Sequence, residues 1–133
     1  RIVYLAADID RCYGRDNLPD HRRLLINLIR WAVKDNIPLR VEGKGLIDCH
    51  LYRQNHRLIL SLVNLTNPEA WRGPVYELIP VGPIKISIKP SLDFIPKTIY
   101  ASVSKSNLIP KFNGEWITFN IPSILDHELI VIS

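Results

Sequence analysis

Apolar residues change their spacing once along this chain. Arg1–Asp10 opens with a near-continuous apolar run through Ile2, Val3 and Leu5, the pattern of a parallel strand covered on both faces. Asp8-Ile-Asp-Arg-Cys-Tyr-Gly then leaves that strand as a polar loop. Asn17-Leu-Pro-Asp reads as a helix start. Asn17 is a capping residue type, Pro19 suits the first turn, and Asp20 favours the positive end of the helix dipole. Leu24, Leu25, Leu28, Ile29, Trp31 and Ala32 follow at helical spacing, with Trp31 read as core. Asn36-Ile-Pro ends the helix, because the residue before a proline disfavours helical angles.

From Leu39 onward the period is that of strands. Arg57–Asn64 places Leu58, Leu60 and Leu62 on one face, after a hairpin loop at Gln54-Asn-His. Ile84–Lys89 alternates as a strand with one wet face should, and Thr98–Val103 alternates again. Trp116–Ile121 follows a turn at Asn113-Gly114, and Glu128–Ile132 closes the chain. Prolines at 68, 74, 80, 83, 90, 96, 110 and 122 mark the joints. Short strands at this spacing predict an antiparallel β-sandwich. The predicted fold class is therefore an α+β fragment. Residues 1–37 form the terminal strand–helix unit of an α/β domain, and residues 38–133 form the sandwich, with the boundary near Ile37–Leu39. A lone strand–helix unit has no sheet to join, and the sequence contains no methionine. Both features predict a piece of a longer polypeptide whose remaining strands lie upstream.

Composition narrows the classes. Hydrophobic content of 47% and charged content of 23% suit a packed fold, not a disordered chain. No apolar run approaches the roughly 18 residues of a membrane span, and no signal-peptide pattern opens the sequence. Compartment stays open. The formal charge of +4 is spread among acidic residues, without the basic stripe and stacking aromatics of a nucleic-acid protein. Cys12 and Cys49 cannot supply a four-ligand zinc site, and their redox state is open.

Several segments carry a resemblance. Arg1-Ile-Val-Tyr-Leu-Ala-Ala-Asp-Ile-Asp-Arg, Pro19-Asp20 and Leu25-Ile-Asn-Leu-Ile-Arg-Trp-Ala resemble the end of a β-galactosidase-trimerisation-type domain, which has a glutamine-amidotransferase-like fold. Val41-Glu-Gly-Lys-Gly, Leu60-Ser-Leu-Val-Asn-Leu-Thr-Asn, Gly73-Pro-Val and Ile79-Pro-Val-Gly-Pro resemble the C-terminal β-sandwich of bacterial glycoside hydrolases. Ile121-Pro-Ser-Ile-Leu-Asp-His-Glu-Leu-Ile-Val-Ile is similar to the last part of that sandwich. The resemblance implies a parent protein with an N-terminal (β/α)₈ catalytic barrel. Its implied partners are that barrel, the rest of the α/β domain, a second copy of the protein, and carbohydrate. In such families the trimerisation-type domain lacks the amidotransferase nucleophile, and Cys12 has no nucleophile-elbow context.

The candidate chemistry is thin. Asp8 and Asp10 lie at the carboxyl end of the predicted strand, where ligands commonly sit, and glycoside hydrolysis uses paired carboxylates. Position alone does not make them catalytic, and they are read as loop carboxylates paired with Arg11 or Arg15. Asp126-His127-Glu128 cannot converge on a straight strand and reads as a turn into it. His21, His50 and His56 share no metal-ligand spacing, so no metal and no cofactor are expected. Trp71, Tyr76 and Trp116 are the aromatics for sugar stacking, with Trp71 foremost, although a buried loop anchor is the plainer role for it. Asn64-Leu-Thr66 is a short sequon, expected to be unmodified. The sequence predicts a non-catalytic structural and assembly region of a glycoside-hydrolase-like protein. The alternative is a carbohydrate-binding sandwich module. An independent hydrolase ranks third, because no nucleophile–base pair stands out.

Overall fold

The computed structural model describes residues 1–67, 73–90 and 94–133. Arg1–Ile37 and Pro38–Ser133 form two compact units.

The first unit is helical. Arg1–Leu5 forms no strand, because no second segment of the unit offers it a ladder. The polar stretch read as a loop is instead helix α1, Ile9–Asp16, flanked by Asp8. Asn17 ends α1 in the left-handed region at φ 52° and does not cap the next helix, which is entered from Leu18. That helix, α2, runs Pro19–Ala32 with Pro19 at its start. Leu25, Leu28 and Ala32 are half-buried, and no residue of the unit is fully buried. Trp31 is 50% exposed, not core; the Arg1 guanidinium lies 4.9 Å over its ring. The apolar stripe of α2 is wider than the short N-terminal segment covers, so Ile29 and Trp31 are left outside.

The second unit is a β-sandwich, antiparallel throughout. Its strands are β1 Leu39–Glu42, β2 Ile47–Gln54, β3 Arg57–Asn64, β4 Ile84–Ile88, β5 Ile99–Ala101, β6 Ser106–Asn107, β7 Lys111–Asn113, β8 Trp116–Ile121 and β9 His127–Ile132. One sheet has the order β1-β4-β8-β7 and the other β2-β3-β9-β5-β6. Asn55 and Gly114, both with positive φ, open the two-residue turns of the β2–β3 and β7–β8 hairpins. Gly82 passes so close to the Pro122 carbonyl that a Cβ has no room.

Alternation decides the core. Leu60 and Leu62 of β3, Ile84, Ile86 and Ile88 of β4, Ile117, Phe119 and Ile121 of β8, and Ile130 and Ile132 of β9 all point between the sheets and are nearly inaccessible. Each such side chain contributes about 1.5–3 kcal/mol by leaving water. Asn64 ties one end shut. Its Nδ2 donates to the carbonyls of Ile79 at 2.7 Å and Leu125 at 2.8 Å, while its Oδ1 accepts from the Thr66 N–H at 3.1 Å.

Candidate functional site

The outward residues of the two sheets define two different surfaces. On the four-stranded sheet, pairing register aligns Arg40 of β1, Ser87 of β4, Thr118 of β8 and Lys111 of β7 in one row across all four strands. The neighbouring row is Glu42, Lys85 and Asn120. Trp116, opposite Asn113, flanks the row on its other side. The Arg40 guanidinium carbon lies 4.1 Å from the Trp116 ring centroid, a cation–π contact. Ser87 and Thr118 share a hydroxyl–hydroxyl hydrogen bond of 3.1 Å at the centre. Lys85 pairs with Glu42 at 3.2 Å, and Lys89 with Glu115 at 2.6 Å. Among the described residues Arg40 and Lys111 have no carboxylate partner.

The five-stranded sheet has the opposite character. Its corresponding row is Tyr52 of β2, Ile59 of β3, Val131 of β9 and Tyr100 of β5. Leu129 lies in the adjacent row, beside Ser61 and His50, and Val63 in the row after that, between Asp48 and His127. Ile59, Val63 and Val131 are only half-covered, and Tyr52 is 56% exposed. A sandwich strand with one solvated face usually carries polar residues there.

Other sequence-predicted groups sit apart from both rows. Asp8 pairs with Arg11 at 3.5 Å, and Asp10 lines an apolar hollow of about 430 Å³ between Val3–Ala7 and α2. The two carboxylates meet a helix instead of a strand, and side chains two positions apart on a helix diverge. Tyr76 is 82% exposed in a segment without secondary structure. Trp116 is half-buried with Arg40 on its ring. Trp71 lies outside the described residues. The Asn64 amide nitrogen is engaged with backbone carbonyls, so it serves the fold and is not free to carry a glycan.

Two carboxylate–imidazole pairs are exposed, Asp48–His50 at 3.2 Å and Asp126–His127 at 2.8 Å. Ser61 stands directly across from His50 in the ladder, which sequence reasoning missed. No hydrogen bond joins that hydroxyl to the imidazole, and the His50 ring is stacked on Tyr52. Such an arrangement lacks the nucleophile–base contact that activates a serine. Glu128, read above at the entry to the closing strand, is in β9 and faces inward, only 3% exposed. It accepts from the N–H groups of Val103 at 2.8 Å, Ser104 at 3.0 Å and Leu129 at 2.9 Å. Burial alone pushes its carboxyl upward, but these donors outweigh burial and hold it below the usual range. Its task is to pin the turn between β5 and β6. Burial, reinforced by the charge of Asp48, pushes the Cys49 thiol up to about 11, so it is not a reactive thiolate. Cys12 and Cys49 are free thiols. Among the described residues no cluster of three His, Cys, Asp or Glu side chains is placed to hold a metal ion, and no helix is long and apolar enough to cross a membrane.

No protein-family model matches the sequence, and no curated protein matches it significantly. Solved structures do match. α-L-Fucosidase isoenzyme 2 from Paenibacillus thiaminolyticus aligns with 98% of this chain at a TM-score of 0.78 and 17% identity. Cycloisomaltooligosaccharide glucanotransferase from Paenibacillus sp., complexed with cycloisomaltoheptaose, aligns with 70% at a TM-score of 0.59 and 15% identity. The matched regions are 20% and 16% of those longer chains. At such identities the likeness is one of fold: this β-rich architecture recurs as a minor part of carbohydrate-active enzymes.

Proposed function

We propose that the chain is a non-catalytic C-terminal structural and assembly region of a glycoside-hydrolase-like protein. In this reading residues 1–37 complete a trimerisation-type α/β domain, and the sandwich packs on the parent polypeptide or on a second copy of it. The observation that carries the reading is the apolar outer row Tyr52–Ile59–Val131–Tyr100. Its exposed apolar area suits contact with protein more than contact with water. The apolar flank of α2, with Ile29 and Trp31 in the open, supports it from the other unit. So do the fold's recurrence within fucosidase and glucanotransferase chains and its small share of them.

The test is a pair of assays on the purified chain. It should not hydrolyse aryl fucosides, aryl glucosides or oligosaccharides above a buffer control, and it should self-associate or bind a hydrophobic dye. Turnover abolished by Asp8→Asn or Asp10→Asn, without a change in thermal midpoint, would overturn the non-catalytic reading. A second reading, a carbohydrate-binding module, is favoured by one observation: the polar outer face of the four-stranded sheet with Trp116 in it.

A further inference from the structure

The row Arg40–Ser87–Thr118–Lys111 crosses four strands, a span of about 14 Å at the usual strand spacing, long enough for a short oligosaccharide. Its centre is a pair of hydroxyls bonded to each other; Ser87 is only 7% exposed, and the half-buried Thr118 is the one that can reach a ligand. Its two ends are cations without a carboxylate partner among the described residues. The other two lysines nearby, Lys85 and Lys89, are neutralised by Glu42 and Glu115. Arg40 already covers one side of the Trp116 ring, so the indole is a wall and a support, not an open stacking platform. Holding the guanidinium against the ring also reduces the freedom it must lose on meeting a ligand. Neutral sugar stacking is thus partly blocked, while one positive charge held on the ring and a second, exposed one flank a hydrogen-bonding centre.

We infer that this face binds an anionic saccharide, a uronate or a sulfated sugar. Arg40 and Lys111 take acid groups on separate residues of the ligand, and Thr118, backed by the buried Ser87 hydroxyl, meets a hydroxyl between them. The inference rests on the second reading, saccharide binding, and narrows it to acidic ligands.

The test is calorimetric titration of the whole chain with short oligogalacturonates, sulfated galactan oligosaccharides, neutral galactan oligosaccharides and a single-stranded oligodeoxynucleotide of similar charge. Binding of a uronate or sulfated ligand alone, weakening as salt is raised, is the expected result. Arg40→Gln with Lys111→Gln should weaken that binding roughly tenfold or more, from the loss of two charge-assisted contacts, with the circular dichroism spectrum unchanged. Arg40→Lys, which keeps the charge but not the planar stack, should fall between. Equal binding of neutral and acidic saccharides would overturn the inference and leave saccharide binding standing. No binding of any saccharide would remove both. Equal binding of the oligodeoxynucleotide would reduce the row to a general basic surface and overturn the inference as well.

Discussion

The two outer faces of the sandwich are built on the same core and obey the same alternation, yet one row across each carries opposite chemistry, although polar residues such as His50 and Ser61 flank the apolar one. Where the four-stranded sheet presents Arg40, Ser87, Thr118 and Lys111, the five-stranded sheet presents Tyr52, Ile59, Val131 and Tyr100. A fold that needed only to stay soluble gains nothing from apolar residues on its outside. The core lies between the sheets, at Leu60, Ile86, Phe119 and Ile130, which leaves the outer rows to the partners proposed above. One row suits a dry protein surface. The other suits a hydrated, charged ligand. The helical unit sides with the dry row, since it leaves Ile2, Ile29 and Trp31 exposed and buries no side chain completely.

The broadest way to break the contrast is to remove the core beneath both faces. Phe119→Ala should cost about 3–5 kcal/mol in denaturant unfolding, and both faces should lose their function together. A cost below about 1 kcal/mol, the level of a surface change, would mean the sheets are not packed on this ring.

Glu128 gives the next largest effect. Glu128→Gln replaces an ionised acceptor of three N–H groups by an amide, and should cost about 1.5–3 kcal/mol at neutral pH. Because the folded carboxyl is held below its unfolded value of about 4.3, its stabilisation is complete above that pH. It is lost as pH falls through the lower, folded value. The wild type should therefore destabilise more steeply than the Gln variant below about pH 4.3. Parallel curves in that range would show that the N–H donors do not favour the charged form.

Smaller effects separate the faces. Trp116→Ala removes the cation–π contact and the covered part of a half-buried indole and should cost about 1–2 kcal/mol, while freeing Arg40 and weakening anionic saccharide binding. Thermal melting and ligand titration of one sample read both. A larger loss of stability with ligand binding intact would make Trp116 a packing residue only.

Much of this fold is legible in the sequence, and the unread parts share a cause. The strands at 57–64, 84–88 and 116–121 show in their own alternation, and Asn113-Gly114 announces its hairpin. Helix α2 shows in its leucine spacing. What fails depends on partners. Arg1–Leu5 is apolar like a buried strand, but a strand exists only with a ladder, and the described unit has none to give. Residues 8–14 read as loop because their polar stretch hides most of a short helix, Ile9–Asp16, with few apolar positions. The cationic row was invisible because Arg40, Thr118 and Lys111 meet only through register, which turns on pairings far apart in the chain. The apolar row did leave a signal. In Arg57-Leu-Ile-Leu-Ser-Leu-Val-Asn, Ile59 and Val63 are apolar on the face opposite Leu58, Leu60 and Leu62, so that strand is greasy on both sides. Glu128 was read in the closing strand, but not its burial, because a carboxylate is rarely expected on an inward face.

The most direct test of the assembly reading is sedimentation velocity over a concentration series, comparing the wild type with Ile59→Glu/Val131→Lys. These residues are direct cross-strand partners, so the new charges pair with each other, but both side chains are half-covered, and the fold should lose on the order of 1–2 kcal/mol without unfolding. The wild type is expected to associate as concentration rises, and the double variant to stay monomeric while keeping the circular dichroism spectrum of the folded protein. A wild type that remains monomeric across the series, with no more hydrophobic-dye binding than the variant, would contradict the assembly reading.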